Sequence, residues 1–358
     1  MDITYAVIDL NALQQNFAIL QQSAAPSKIL AVVKANAYGH GMVKVAETLT
    51  DAHAFGVARL NEALLLRDAG ISKPIVLLEG FFNDHDLITL VDQDLQSVVH
   101  SEQQVNAILK AQLSKPVQIW LKLDTGMHRL GFHPERFDDV YLQLKNSKNV
   151  QKPIHLITHF SCADELDNPS TNAQINLFKE HIKDDSGLNS LASSAAILAW
   201  PQAHYDIIRP GIALYGVSPF ADKDASDFQL KPVMTLKSRL IAVRDHKAGE
   251  SVGYGANWTA KQDTKLGVVA VGYGDGYPRM APEGTPVLVN GRLVPIVGRV
   301  SMDMLTVDLG ANSTDQVGSD VTLWGEGLAA TQVANHIGTI AYELLTKLTA
   351  RVALQYRE

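Results

Sequence analysis

The sequence is poorest in cysteine: 358 residues hold one, Cys162. That excludes a disulfide scaffold and fits a reducing compartment. No apolar run reaches the roughly 18 residues that a membrane-crossing helix needs. The opening MDITYAVIDL has no basic start and no long apolar core, so it does not read as a secretory signal. Charge is sparse and of both signs: Lys and Arg total 31, Asp and Glu 38, for a net −7. Without blocks of Lys or Arg, a nucleic-acid partner is not expected. Apolar side chains, by contrast, make up 46% of the residues, enough to bury a core and exclude disorder. The length allows two or three domains. The expectation is a cytoplasmic enzyme or binding protein for small molecules, with no membrane partner.

The first two thirds of the chain alternate short apolar runs with longer segments of helical length. The runs are 29–33, 54–58, 75–79, 95–99, 117–123, 155–159, 188–192 and 206–209. Segments such as 42–49, 62–69, 102–113, 134–144 and 172–182 lie between them. Eight strand-like runs in about 200 residues predict an α/β fold of the (β/α)8 TIM-barrel type rather than an open doubly wound sheet. After about residue 230 most helical patterns give way to β-rich runs, with Asn290-Gly291 a strong hairpin signal. A final helix is expected over 331–344 and a last strand over 351–356. The division expected is 1–230 for the barrel and 231–358 for a mainly antiparallel β domain. Residues 1–9 are a candidate strand of the latter.

Barrels of this kind carry their active sites where the strands end, at the C-terminal edge. Strand one of the barrel is read to end at Lys34, strand five at Lys122, strand six at His159 and strand eight at Arg209, with Ser194 following strand seven. Four strands thus place a polar, mostly cationic residue on one rim. An amine leaving an apolar strand is partly desolvated, which lowers its pKa and makes it usable as a nucleophile or base. A lone strand-end lysine is more often a stem packed on the rim with its head in water. Lys34 by itself leaves both readings open.

The flanking sequence weighs on that choice. Val33-Lys34-Ala35-Asn36-Ala37-Tyr38-Gly39-His40-Gly41 resembles the pyridoxal 5′-phosphate attachment motif of alanine racemases. Six further motifs follow in order, at 124–131, 158–160, 209–216, 252–256, 272–277 and 298–304. The resemblance covers the chain from Tyr5 to Tyr356. It implies that Lys34 joins the cofactor aldehyde and, once freed by substrate, serves as one base at Cα. Tyr254 would be the second base, supplied by the partner of a homodimer to the opposite face. Arg209 would face the pyridine nitrogen, with His159 supporting that side of the ring. Tyr38, Ser194, Gly211, Ile212 and Tyr356 would hold the phosphate. Arg129 and the backbone amide of Met302 would hold the substrate carboxylate, Lys122 is a position often carbamylated, and Tyr273 and Arg279 would line the access passage. Where the family often has His and Asn, this chain has Ser190 and Ser193, and Ala353 and Leu354 stand where Pro and Arg are frequent.

Several other features compete for attention. Cys162 lies three residues after His159, yet a small packed thiol is the ordinary reading. Twelve histidines include no H-E-x-x-H and no paired Cys/His spacing, so no metal is expected. The glycine-rich stretch 272–276 precedes no helical pattern and is not read as a nucleotide loop. Rival functions are a broader amino-acid racemase, a basic amino-acid decarboxylase, or a non-catalytic carrier of pyridoxal phosphate. The decarboxylases of this layout typically put a carboxylate opposite the ring nitrogen and a cysteine late in the β domain. Here those features are replaced by Arg209 and by Cys162 in the barrel.

Overall fold

The computed structural model describes residues 3–358. Residues 1 and 2, part of the expected opening segment, lie outside the described residues. The described chain begins with β1 (Tyr5–Asp9) and the helix Leu10–Ser23, which Asp9 caps by accepting from the Ala12 N–H at 2.9 Å. Eight parallel strands follow: β2 (Lys28–Val32), β3 (Ala54–Val57), β4 (Ile75–Leu77), β5 (Gln96–Val99), β6 (Ile119–Lys122), β7 (His155–Ile157), β8 (Asn189–Ser190) and β9 (Ile207–Ile208). They pair in sequence, β9 returns to β2, and a parallel bridge between Ser193 and Arg209 links the ends of β8 and β9. Strands covered on both faces favour apolar side chains at nearly every position, which is why β3, β4 and β6 are buried throughout and only Lys122, at the end of β6, is charged.

The ladders stop short of the residues read as strand ends. β2 closes at Val32, β7 at Ile157 and β9 at Ile208. Lys34, His159 and Arg209 therefore sit one or two residues into the following loops. Single backbone bonds still anchor those loops: the Val33 N–H donates to Gly56 at 2.9 Å and the Arg209 N–H to Ala192 at 2.8 Å.

The second sheet holds β1, β10 (Met234–His246), β13 (Thr264–Val269), β14 (Pro286–Val289), β15 (Arg292–Val297), β16 (Leu305–Asp308), β17 (Asp320–Trp324) and β18 (Ala353–Arg357). A small hairpin, β11 (Ser251–Val252) with β12 (Trp258–Thr259), stands apart from it. Pairing is antiparallel except between β1 and β18. The long β10 bends at a bulge between Leu240 and Ala242 and pairs with β1, β17 and β13, which closes the sheet on itself. Asn290 and Gly291 both take positive φ, 48° and 79°, as a two-residue hairpin turn requires.

Two differences from the sequence reading stand out. The expected helix over 331–344 is two helices, Ala330–Ile337 and Ala341–Thr346, because Gly338 adopts a left-handed cap and ends the first. The helices Leu10–Ser23 and Asp84–Asp92 carry an apolar face that the sequence reading did not single out. One continuous apolar core joins the barrel to the β sheet. Asn16 stitches the junction, donating to the carbonyls of Leu214 and Lys231 and accepting from the Lys231 N–H at 2.8 Å.

Candidate active site

The segment after β2 is a turn of left-handed helix. Ala35, Asn36, Ala37 and Tyr38 all have φ between 52° and 54°, followed by Gly39 at 82°. Each non-glycine residue in that region costs about 1–2 kcal/mol, so the surroundings must enforce it. Glu62 accepts the Ala35 N–H at 2.7 Å and also caps its own helix at Ala58 and Arg59. The Asn36 side chain accepts the Met42 N–H at 2.9 Å. His40 is fully buried, holds the carbonyls of Ala37 and Tyr38 at 2.9 Å, and stacks on Tyr215. On the outside, the Leu345 carbonyl occupies the space a side chain at Gly39 would need. Lys34, at the start of this turn, is thereby aimed by a rigid support.

Lys34 shares the barrel mouth with Lys122, Arg129, Arg209 and His159. Burial lowers the Lys34 pKa, Glu79 raises it, and Arg129 lowers it further. Burial and the guanidinium groups of Arg209 and Arg129 push Lys122 down to about 8. Burial and the same cations hold His159 well below its usual range, so its imidazole is neutral at pH 7. Arg209 is 5% exposed and donates to Ser190 Oγ and the Thr158 carbonyl at 2.6 Å and to the Leu191 carbonyl at 3.2 Å. It forms no salt bridge among the described residues. Burial lowers its pKa to about 9, which leaves it charged at neutral pH. A pit of cations with so little carboxylate inside it is built to receive anions from outside.

Beside the pit lies a cradle of small groups. Ser194 Oγ accepts the N–H groups of Gly211 and Ala213 at 3.0 and 3.2 Å. The Tyr38 hydroxyl occupies the position that a Cβ on Gly211 would fill. Burial raises the Tyr38 pKa to about 12, so it remains a hydrogen-bond donor. Tyr38 stacks on Tyr215 with ring centres 4.9 Å apart. The Tyr356 hydroxyl donates to the His40 carbonyl at 3.3 Å and likewise occupies the space beside Gly41. A dianionic phosphate and an aldehyde-reactive amine both suit these groups, so the pit and cradle fit pyridoxal phosphate.

Arg129 rides on the loop after β6, at its exposed tip. The Asp124 carboxylate accepts the N–H groups of Gly126 and His128 at 3.0 Å and closes the loop's first turn. Buried Gln174 donates to Thr125 Oγ1 at 3.0 Å and to the His159 carbonyl at 3.2 Å, so it ties this loop to the one after β7. The sequence reading missed Ser190 as a partner of Arg209, and also Glu62 and Gln174. Glu62 stands three residues after Arg59, a helix-start position visible in sequence, but its second bond to Ala35 bridges 27 residues.

The remaining expected residues are on the β domain. Tyr254 tips the β11–β12 hairpin and is 71% exposed, and Met302 is 53% exposed. The turn at Tyr273 is fastened to the Met302 loop by the Tyr273 N–H on Ser301 at 3.0 Å and the Gly274 N–H on Met302 at 2.8 Å. Arg279 lines a separate cleft with Asn257, Trp258 and Arg299. Within one chain these groups face outward rather than joining the charges around Lys34.

The profile of the family described as "Alanine racemase, N-terminal domain" matches residues 8–219, and "Alanine racemase, C-terminal domain" matches residues 233–356. The chain belongs to the alanine racemase family. An alanine racemase of Shewanella sediminis is 61% identical over 349 residues, covering 98% of each chain. One of Vibrio atlanticus is 57% identical over 356 residues, covering 99% of each. Among solved structures, the biosynthetic alanine racemase of Pseudomonas aeruginosa superposes with a TM-score of 0.97 at 46% identity, and that of Acinetobacter baumannii with 0.93 at 41%, each over the full length of both chains. A racemase-family enzyme, an isomerase, thus accounts for both the barrel and the β domain.

Proposed function

We propose that this enzyme interconverts L- and D-alanine at the barrel mouth, with pyridoxal 5′-phosphate as cofactor and a second copy of the chain completing each site. The observation that carries the reading is an amine of lowered pKa, Lys34, fixed by a strained turn beside a cluster of cations and the hydroxyls of Tyr38 and Ser194, the latter held by the Gly211 and Ala213 N–H groups. Lys34, Tyr38, Ser194, Gly211, Ile212 and Tyr356 would hold the cofactor, with Arg209 at its ring nitrogen and His159 beside it. Bound there, the cofactor supplies an electron sink that makes the substrate's α-proton removable.

The chain's own residues divide the rest of the work. Lys34, as a neutral amine, takes the proton from one face of Cα. Tyr254 of the partner subunit returns one from the opposite face, and the roles exchange for the reverse reaction. Arg209 has no acidic partner, so it donates a hydrogen bond without yielding a proton. Arg209 would thereby leave the ring nitrogen of a bound cofactor unprotonated, which would favour prompt reprotonation over side reactions. Arg129 offers a planar pair of N–H groups to the substrate carboxylate, with the Met302 amide of the partner beside it. Lys122, with its pKa brought to about 8, has enough neutral amine to add carbon dioxide. The new N–C bond releases a proton and turns a repelling cation into an anion that orients Arg129.

The purified chain should convert L-alanine to D-alanine, and heavy water should exchange deuterium into Cα. Lys34→Ala should abolish both. A folded Lys34→Ala protein that still racemises alanine would overturn the assignment. Peptides prepared without acid should carry an added carbon dioxide on Lys122, and an unmodified mass would remove the carbamate from the scheme.

A further inference from the structure

We propose that Asp124, His128 and His133 form a site for a transition-metal dication of the zinc class on the barrel rim. The three side chains offer ligand atoms that all lie within 4.8 Å of one another. They are brought together by the loop's neck. The Asp124 N–H donates to the Phe132 carbonyl and the Phe132 N–H to the Lys122 carbonyl, each at 2.9 Å, so residue 133 returns beside residue 124. His133 then caps the helix Pro134–Asn146, which fixes its backbone. Asp124 uses Oδ1 for two backbone N–H groups and turns Oδ2 toward His128 Nδ1, 3.2 Å away. The pair is hydrogen-bonded as it stands; in a tetrahedral site with bonds of about 2.0 Å, neighbouring ligand atoms are about 3.3 Å apart, so an ion would displace the shared proton with little movement of either group. His133 stacks against His128 with ring centres 5.8 Å apart.

Two imidazoles and one carboxylate are a donor set that zinc accepts, and they leave a position open to water. Both histidines are exposed, so small side-chain rotations draw the third ligand in without disturbing the fold. The two N–H bonds to Oδ1 orient the carboxylate, as outer partners do in metal sites generally. Magnesium and calcium are disfavoured, because they take sets made of oxygen. The site does not depend on the reaction proposed above.

Calorimetric titration of the purified full-length protein with zinc chloride, and visible absorption with cobalt(II), test it. One ion per chain should bind, with a cobalt band of low-symmetry coordination. His133→Ala and His128→Asn should each weaken zinc at least about tenfold, while His53→Ala at the opposite end of the barrel leaves it unchanged. Equal zinc affinity in all four proteins, or a cobalt spectrum no different from the aqueous ion, would overturn the site.

Discussion

At the scale of single residues, the buried imidazole of His40 contributes to acid sensitivity. Burial lowers its pKa to about 4, against backbone bonds from Tyr38 and Ala37 that raise it. The unfolded chain takes up this proton near pH 6.5, but the folded one resists until about pH 4. Stability is therefore full above pH 6.5 and is lost as the pH falls through that window, by up to about 3 kcal/mol from this group. His155 behaves in the same direction and also titrates near 4. His40→Phe keeps a ring on Tyr215 and cannot be protonated. Its urea midpoint should fall less between pH 7 and pH 4.5 than that of the native sequence, and parallel falls would refute the account.

The left-handed turn is the element whose strain bears on chemistry. Ala35 is exposed with φ of 53°. Glycine there removes about 1–2 kcal/mol of strain and adds about 0.5–1 kcal/mol of unfolded-chain entropy. Ala35→Gly should thus leave stability unchanged or raise it, by up to about 1.5 kcal/mol. It should also lower kcat, since the lysine next to it loses its fixed aim. A variant more stable and equally active would show that the strain serves nothing. The strands of the barrel were legible in the sequence because each is a continuous apolar run between turn residues. The left-handed turn was not: Ala35, Asn36 and Ala37 are ordinary in composition, and their conformation is imposed by Glu62 and Leu345 from two other elements and by His40 just after the turn. The break at Gly338 was overlooked for the opposite reason, a strong apolar pattern running through a local stop signal.

On the scale of the whole molecule, motif order carried more than any one motif. Lys34, Lys122, His159 and Arg209 were read from strand ends, and the structure gathers them at one mouth. The partners that hold Arg209 were hidden because Ser190 and the Thr158 carbonyl are brought to it only by barrel closure. Tyr254 and Met302 stand exposed, as the proposed sharing of sites between subunits requires. If sites are shared across a two-fold axis, Lys34→Ala and Tyr254→Phe proteins, each inactive alone, should regain activity when dissociated and reassembled together. Half of the random dimers are mixed and each has one intact site of two, which sets the recovery at about a quarter. No recovery after verified exchange would place both residues in one chain's site.

β1 lies between β10 and β18, joined to the latter in parallel from Tyr5–Ala353 to Asp9–Arg357. The ribbon that opens at Tyr5 thus finds its parallel neighbour at Ala353, across the whole barrel in sequence. Until β18 is made, β1 keeps an open edge on that side, so the closing stitch of the sheet joins two strands that no local contact can bring together.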